Sequence, residues 1–256
     1  MKILRAAVEG ALSLLYPGVG CAVCGGVDGT QRVDSSDGRG SFQLCDRCVE
    51  AYLKGERRCC PRCGRGWGDG AGECPDCRRA PPAFSHCVAV ADYAGEIKGA
   101  VHRLKYEAER SLAEPLGLLL AARTPPSLAD TPVLVPVPLH ASRLRDRGFN
   151  QAELLAAAVA RWLGWPLAGS ALVRDRTTPP QAFLNRAERQ HNLKGAFRAP
   201  PLAGVRGRGI VLVDDVVTTG STLHECARVL LAAGARRVDG LVVAATAHHA
   251  TDSYGG

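Results

Sequence analysis

Apolar runs alternate with amphipathic segments along the second part of the chain. Four short runs have the length and composition of β-strands, and they cover residues 86–93, 133–138, 210–217 and 238–245. Segments with a helical spacing of apolar residues cover 94–106, 108–123, 150–163 and 221–233. Strands that alternate with helices predict a parallel sheet covered by helices on both faces, so the expected fold class is α/β.

The first 80 residues differ in composition from the rest of the chain. Residues 3–16 have the apolar spacing of a short docking helix, whereas residues 17–80 are rich in glycine, cysteine and arginine and contain few large apolar side chains. Such a stretch does not build a conventional core. We therefore predict a small N-terminal module over residues 1–80, a larger domain over residues 81–250 and a frayed tail at residues 251–256.

Composition and charge fit a globular protein that accepts anionic ligands. Of the 256 residues 46% are hydrophobic, and the formal net charge is +7. This modest positive charge permits phosphate-bearing ligands without requiring them. The first 20 residues lack the sustained apolar run of a signal peptide, and no later segment has the length of a membrane span. We expect a cytoplasmic protein without membrane insertion.

Eight of the eleven cysteines form four CxxC pairs. In a reducing compartment this spacing favours metal over disulfides, and two such pairs complete a tetrahedral site of four sulfurs. We expect two zinc ions, and both should be structural because a closed four-sulfur site has no open position for catalysis. The predicted ligands are Cys21, Cys24, Cys45, Cys48, Cys60, Cys63, Cys74 and Cys77.

The sequence leaves the pairing of the four CxxC motifs open. Sequential pairing is the simpler arrangement, and crossed pairing is the alternative. Gly25 and Gly64 follow two of the pairs, where a metal-binding turn needs a positive φ. Cys59 is expected to be spare, and Cys87 and Cys226 lie in apolar contexts typical of core cysteines.

A candidate ligand site follows the third predicted strand. Asp214 and Asp215 stand at its carboxyl end, where ligands bind in open α/β sheets, and two carboxylates there can accept hydrogen bonds from the hydroxyls of a ribose. Backbone N–H groups, small hydroxyl side chains and a helix N-terminus then form a phosphate cradle. The cradle residues are Thr218, Thr219, Gly220, Ser221 and Thr222. The stretch resembles the motif of type I phosphoribosyltransferases that binds 5-phosphoribosyl-1-pyrophosphate (PRPP).

Two further segments are rich in hydrogen-bond donors. The segment after the second strand suits a pyrophosphate group, and its candidate residues are His140, Arg143, Arg147, Asn150 and Gln151. Residues 174–198 form a long basic segment, in which we expect a loop with a short helix that closes over the site as a lid. The candidate lid residues are Arg174, Gln181, Arg186, Arg189 and Asn192. A solvated charged face is the alternative for this segment.

These segments together resemble one family. VLVPVPLHASRLRDRGFNQ at residues 133–151 and RTTPPQAFLNRAERQHNLKGAF at residues 176–197, followed by the PRPP motif, are similar to the ComF family. The segment HRLKYEAERSLAEPLG at residues 102–117 fits the part of that family before the first core strand, and the family's N-terminal double zinc ribbon matches the cysteine module. The resemblance covers essentially the whole chain.

What the resemblance implies is a type I phosphoribosyltransferase fold preceded by a zinc-ribbon module, with PRPP or a related phosphoribosyl ligand and Mg²⁺ as cofactor. It also implies a role in natural transformation, namely the handling of incoming single-stranded DNA. An adaptor role, in which the zinc module docks a helicase-type partner, is a further hypothesis. The alternatives are an orphan phosphoribosyltransferase of nucleotide salvage and a non-catalytic PRPP-sensing protein that binds DNA or acts as an adaptor. With five Phe, five Tyr and three Trp, DNA binding is expected to be mainly electrostatic rather than based on stacking.

Overall fold

The computed structural model describes residues 20–38, 40–68, 72–128, 132–175, 193–201 and 204–248. The predicted N-terminal helix at residues 3–16, the predicted tail and four of the predicted lid residues lie outside these ranges. Those four are Gln181, Arg186, Arg189 and Asn192. Within the described residues, no helix is both long enough and apolar enough to cross a membrane.

The N-terminal part consists of short elements. In chain order they are strand β1 (Thr30–Asp34), strand β2 (Ser41–Cys45), helix α1 (Asp46–Val49), a π-helical turn (Glu50–Lys54) and helix α2 (Pro75–Arg79). Strands β1 and β2 form an antiparallel pair. This part of the chain has few large apolar side chains, so it does not build a core of its own. It forms one-turn helices separated by glycine-rich loops, and local turns fix its conformation.

The larger part contains two layers of helices around one sheet. Its elements are β3 (Cys87–Asp92), α3 (Gly95–Tyr106), α4 (Ala113–Arg123), β4 (Pro132–Pro136), α5 (Ala141–Arg147), α6 (Gln151–Leu163), β5 (Val173–Arg174), β6 (Phe197–Arg198), β7 (Gly209–Val217), α7 (Ser221–Ala232) and β8 (Arg237–Ala245). Single 3₁₀ turns, Arg110–Leu112 and Pro126–Leu128, precede α4 and β4. The predicted strands and long helices are confirmed to within a few residues, and α5 is an element that the apolar pattern did not predict.

The central sheet has four parallel strands in the order β3–β8–β7–β4. Parallel strands all end at the same edge, so the carboxyl ends of β4 and β7 bring the segments that follow them together. The strands β5 and β6 form a separate antiparallel pair, which holds the two ends of the predicted lid segment side by side. The predicted α/β fold with a parallel sheet is therefore confirmed.

Side chains along each strand alternate between the two faces of the sheet. Val211 and Val213 of β7 belong to the core under α3, α4 and α6, whereas Ile210 and Leu212 belong to the core under α7. All four side chains are buried. A run of branched apolar residues is typical of a strand covered on both faces, which is why β7 lacks polar residues until it reaches its carboxyl end.

The N-terminal part contains two cysteine modules, the first over residues 21–48 and the second over residues 60–77, and they pack on opposite faces of this sheet. The first joins the core under α3, α4 and α6, where the Arg103 guanidinium donates to the carbonyl oxygens of Ala22 (2.9 Å) and Val23 (3.0 Å). The second joins the core under α7, and Arg57 Nη1 donates to the carbonyl oxygen of Ala89 in β3 at 3.1 Å. The cysteine modules therefore share the hydrophobic cores of the α/β part.

Candidate functional site

Two carboxylates lie at the carboxyl end of β7. Asp215 is buried, Asp214 is partly buried, and the backbone N–H of Asp215 donates to Asp214 Oδ1 at 2.8 Å. Burial, together with the neighbouring Asp215 charge, raises the pKa of Asp214 to about 7. Two neighbouring carboxylates repel each other when both are charged. A cation or a hydrogen-bond donor of a ligand that binds between them therefore relieves an unfavourable interaction.

Lys105 is the cationic partner of the acidic pair, and it belongs to no motif that predicted a site residue. It lies near the C-terminus of α3, and its Nζ is 2.8 Å from Asp215 Oδ2 with both side chains largely buried. Burial works against the charged ammonium group, but the charge of Asp215 and the hydrogen bond that Lys105 donates to it outweigh burial, so the pKa of Lys105 is raised. The signal that could have found it is its place in the ComF-like segment at residues 102–117.

The phosphate cradle lies between β7 and α7. Gly220 is the N-cap of α7 with φ +78°, a conformation that side chains with a Cβ rarely adopt. The Thr219 and Ser221 hydroxyls lie 2.9 Å apart, and the Thr246 hydroxyl donates to the Thr218 carbonyl oxygen at 3.3 Å. The twelve-residue helix α7 therefore begins at the loop that was predicted to hold a phosphate, and the N–H of its first residue, Ser221, donates to Thr219 Oγ1 at 3.4 Å.

A cavity of about 210 Å³ is lined by Lys105, by the acidic pair and by Thr222 of the cradle. Thr218–Ser221 line a smaller cavity of about 20 Å³, to which Asp214 and Thr222 also contribute. The polar lining of the larger cavity comprises Lys105, Tyr106, Arg143, Arg147, Gln151, Arg174, Asp214, Asp215 and Thr222. Burial and the nearby Arg143 charge lower the pKa of Arg174 from its usual value. Several cations facing two carboxylates can hold a ligand that carries both phosphate groups and hydroxyls.

The predicted pyrophosphate residues divide into two groups. Arg143, Arg147 and Gln151 line the cavity, and Arg147 Nη1 donates to Gln151 Oε1. The other two side chains cap helices: His140 Nδ1 accepts from the Ser142 N–H at 3.2 Å, and Asn150 Oδ1 accepts from the Ala152 N–H at 3.1 Å. Neither capping residue is among those that line the cavity, so their contact with a pyrophosphate stays a prediction.

The eight predicted metal ligands form two groups of four in sequential pairing. The first group consists of Cys21, Cys24, Cys45 and Cys48, and the second consists of Cys60, Cys63, Cys74 and Cys77. Within each group the sulfur atoms lie within 4.8 Å of one another. Each CxxC motif therefore pairs with its neighbour in sequence, as the sequential arrangement predicted, and Cys59 is outside both groups. The predicted burial of Cys87 and Cys226 in the core is also confirmed.

The surroundings of the sulfurs fit a bound cation. Gly25 and Gly64 have φ of +76° and +70°, as the turn at each predicted site requires. The backbone N–H of Gly26 donates to Cys24 Sγ at 3.4 Å, and that of Cys74 donates to Cys60 Sγ at 3.3 Å. The hydrogen bond between Cys21 and Cys48 lowers the pKa of the Cys21 thiol and raises that of the Cys48 thiol, so one of the two holds the proton when no cation is bound. Thiolates held by backbone donors are the form that binds metal.

A buried arginine supports the second cysteine group, and nothing in the sequence pointed to it. Arg65 is 7% exposed, and its Nε donates to Cys63 Sγ at 3.5 Å. Its Nη2 lies 3.8 Å from Cys74 Sγ and donates to Asp76 Oδ2 at 2.7 Å. A cation in this position offsets part of the negative charge that four thiolates would place around a divalent ion.

Comparison with known proteins agrees with this geometry. The profile of the phosphoribosyl transferase domain matches residues 150–255. With the four-stranded parallel sheet and its covering helices, this defines the larger part of the chain as a phosphoribosyltransferase fold.

Relatives match most of the chain. The DNA utilization protein YhgH of Escherichia coli K12 is 38% identical over 204 residues, which cover 78% of this chain and 88% of that protein. Competence protein F of Haemophilus influenzae is 32% identical over 185 residues, covering 70% of this chain and 81% of its own. Competence protein ComFC of Bacillus subtilis is 30% identical over 199 residues, covering 75% and 79%. The chain belongs to the ComF family.

Proposed function

We propose that this protein binds PRPP together with Mg²⁺ in the cavity at the carboxyl ends of β4 and β7. The observation that carries the proposal is the joint lining of one cavity by the acidic pair, by Thr222 at the N-terminus of α7 and by three arginines. PRPP is a ribose with a phosphate at one end and a pyrophosphate at the other. Its hydroxyls need acceptors, its phosphate needs backbone N–H donors and its pyrophosphate needs cations, and all three must lie within the length of one ligand.

Each group of residues has a separate role in this proposal. Asp214 and Asp215 accept hydrogen bonds from the ribose hydroxyls, and Lys105 holds the Asp215 side chain in place through its ion pair at 2.8 Å. Thr218–Thr222 hold the 5-phosphate through backbone N–H groups and hydroxyls. Arg143, Arg147 and Arg174 hold the pyrophosphate. When bound, Mg²⁺ neutralises pyrophosphate charge, mostly through ligand oxygens and water, so few dedicated protein ligands are needed.

The same arrangement is suited to pentosyl transfer to an acceptor. In that reaction a nucleophile bonds to the anomeric carbon of the ribose while the bond from that carbon to the pyrophosphate oxygen breaks, and the pyrophosphate leaves with the electron pair. Negative charge then grows on the leaving group, where arginine donors stabilise it most strongly. A protein that senses PRPP would use the same contacts without the transfer step. The enzyme and the sensor therefore differ in whether an acceptor reacts with the bound PRPP.

The relatives suggest the cellular setting. Their names refer to DNA utilization and to competence, and we propose by analogy a cytoplasmic role in handling incoming single-stranded DNA during natural transformation. In this proposal the two cysteine groups hold structural zinc ions, and their module docks a helicase-type partner.

Calorimetric titration with PRPP in the presence of Mg²⁺ tests the ligand. Asp214→Asn removes one charged acceptor without changing side-chain shape, and we expect a loss of affinity of about tenfold to a hundredfold, the usual effect of losing one charge-assisted hydrogen bond. The matched control is Asp34→Asn in β1, where the carboxylate is 79% exposed. Equal PRPP affinity for the wild type and Asp214→Asn would remove the basis of the proposal.

Pyrophosphate release separates the enzyme from the sensor. The wild type and an Asp214→Ala/Asp215→Ala variant are incubated with PRPP, Mg²⁺ and either nucleobases or single-stranded DNA. Release above the level of the variant identifies an enzyme. If PRPP binds but no acceptor causes release, the sensing role holds instead.

A further inference from the structure

The second cysteine module shares a buried core with the phosphate cradle. Its four cysteines belong to the core under α7, together with Val217 and Leu223, the residues on either side of Thr218–Thr222. The first module is packed differently, since its cysteines belong to the other core, which contains no residue of α7 in the described part of the chain. The cradle and the second cysteine group are therefore parts of one packed unit.

The segment that follows the second module supports the start of α7. Phe84 is fully buried, and its Cζ lies 3.7 Å from the position that a Cβ would take on Gly220, the N-cap of α7. The backbone N–H of the neighbouring Ala83 donates to His224 Nδ1, in the first turn of α7, at 3.1 Å. The Phe84 ring therefore faces the glycine at which the cradle turns into the helix.

A second connection runs through the residues that follow β8. The Thr246 hydroxyl donates to the carbonyl oxygen of Thr218, the first residue of the cradle, at 3.3 Å. The next residue, Ala247, forms a parallel bridge with Gly66 of the second module, and the backbone N–H of His248 donates to the Gly66 carbonyl oxygen at 2.8 Å. Three consecutive residues thus join the cradle to the second module.

This connection reaches the side chains around the cysteine sulfurs. His248 Nε2 lies 3.3 Å from Asp76 Oδ2, which also accepts from Arg65 Nη2 at 2.7 Å. Arg65 Nε in turn donates to Cys63 Sγ at 3.5 Å. The His248 side chain is only 7% exposed, and its ring packs edge-on against Trp67 with the centroids 5.2 Å apart. A continuous series of contacts therefore leads from the sulfurs to the cradle.

The second module depends on a metal ion for its shape. Residues 60–77 contain one short helix, α2, and the buried residues that the structure describes in this range are the four cysteines, Gly64 and Arg65. Such a module has no apolar core of its own, and small metal modules of this kind are unfolded without their ion. Local unfolding of the module would release Gly66 from Ala247 and Asp76 from His248, so the order of the cradle would decrease with it.

We propose that the second cysteine group, with its metal ion bound, positions the phosphate cradle, so that the ion and PRPP each raise the affinity of the other. Phe84, Thr246 and His248 are the positioning residues that connect the two sites. The inference rests on the proposed PRPP site, because PRPP is the ligand that the cradle is proposed to hold. Linkage requires the same factor in both directions, and we expect about fivefold or more.

Chelator competition on the zinc-loaded protein tests the coupling. Zinc is withdrawn by pyridylazoresorcinol, which reports the released ion by its colour, with saturating PRPP and Mg²⁺ or without them. We expect PRPP to raise the resistance of one ion to the chelator by about fivefold or more and to leave the other within about twofold. The Asp214→Ala/Asp215→Ala variant, treated identically, controls for zinc that PRPP itself binds. Cys24→Ser and Cys63→Ser each leave one group intact and should identify the protected ion as that of the second group.

Hydrogen exchange tests the positioning role without PRPP. In the ligand-free protein the backbone amides of residues 218–224 should exchange about tenfold faster in Cys63→Ser than in the wild type, because the opened module no longer supports the cradle. Cys24→Ser opens the first module instead, and its cradle amides should exchange at the wild-type rate.

A variant that keeps all eight cysteine ligands guards against a general loss of folding. Thr246→Val loses the hydroxyl that donates to Thr218, and it should reduce the protection that PRPP gives the second ion while the melting temperature stays nearly unchanged. The matched control is Thr124→Val, which loses a hydroxyl that donates to the Leu120 carbonyl oxygen at the end of α4. This control should keep the full protection.

The outcomes separate the coupling from the PRPP site. If PRPP binds but protects neither ion, or protects both equally, the coupling is refuted while the PRPP site stands. If PRPP does not bind but the cradle amides exchange faster in Cys63→Ser and not in Cys24→Ser, the positioning role stands and the PRPP site is refuted. Equal exchange of the cradle amides in the two cysteine variants, or full protection in Thr246→Val, would overturn the connection described above.

Discussion

Replacing Asp214 by asparagine should make the ligand-free protein more stable while it weakens PRPP binding. The carboxylate is partly buried beside Asp215, and its pKa is raised from 3.8 to about 7, first by burial and then by the Asp215 charge. Asparagine removes the unfavourable charge and keeps the Oδ1 that accepts the Asp215 N–H at 2.8 Å. Binding groups held in an unfavourable state commonly trade stability for function.

The sign and size of the effect follow from the raised pKa. Between pH 4 and pH 7, roughly, the folded protein binds more protons at Asp214 than the unfolded chain does, so this residue lowers stability progressively as pH rises through that window. A shift of about 3 pH units sets an upper limit of roughly 4 kcal/mol. Because Asp214 is only partly buried, solvent screens part of this penalty, and we expect about 1–2 kcal/mol, or about 2–8 °C in melting temperature for a chain of this size.

Thermal unfolding between pH 5 and pH 8.5 measures this effect. The difference in melting temperature between Asp214→Asn and the wild type should be smallest at pH 5, where roughly a third of the penalty is present, increase towards pH 7 and level off above it. Effects shared by the two proteins, including loss of metal in acid, cancel in the difference. Asp34→Asn serves as the control, because its side chain is 79% exposed, and should show a flat profile. If Asp214→Asn were less stable than the wild type at pH 8, or if the difference did not depend on pH, the Asp214 charge would not be what destabilises the protein.

Three further predictions concern charges elsewhere in the molecule. Lys105→Met leaves the Asp215 carboxylate buried without its partner at 2.8 Å and should lower the free energy of unfolding by about 3 kcal/mol, whereas Lys54→Met, in an exposed pair, should change it by less than about 0.5 kcal/mol. Arg65→Met should weaken the second metal site by about tenfold to a hundredfold in chelator competition, and Arg79→Met, with a side chain that is 79% exposed, should not. Affinity for single-stranded DNA, measured by fluorescence anisotropy, should fall steeply with salt concentration.

Each of the three has an outcome that contradicts it. Equal unfolding free energies for the two lysine variants would show that the Lys105 pair contributes nothing to stability. Equal chelator resistance of the two arginine variants would mean that the hydrogen bonds of Arg65 to the cysteine sulfurs do not support the metal. A DNA affinity that is independent of salt would contradict electrostatic binding.

Local signals were enough for the elements that build the core. The strand at Gly209–Val217 contains an apolar run, Ile210–Val213, that is followed by two acidic residues, so its burial and the candidate site near its carboxyl end are both visible in the sequence. The cysteine ligands are equally visible, because CxxC spacing is a short-range requirement of the metal. Helix α5 was missed because four of its seven residues are charged and Leu144, its single large apolar residue, is exposed.

The remaining features depend on contacts between distant parts of the chain. Lys105 meets Asp215 across two elements of the fold, and Arg65 meets Asp76 and the sulfurs only once the second cysteine group has formed. Tyr106 looks like one more apolar residue of an amphipathic helix until its exposure is known. Such pairings have no fixed spacing in the sequence, so they cannot be predicted from helical or strand periodicity.

A crystal structure of the protein with PRPP and Mg²⁺ would show directly where the ligand binds. We expect the 5-phosphate in the Thr218–Thr222 loop, the ribose hydroxyls on Asp214 and Asp215, and the pyrophosphate against Arg143 and Arg147. A ligand bound away from the carboxyl end of β7, or a ribose without contact to the two carboxylates, would contradict the proposed binding mode.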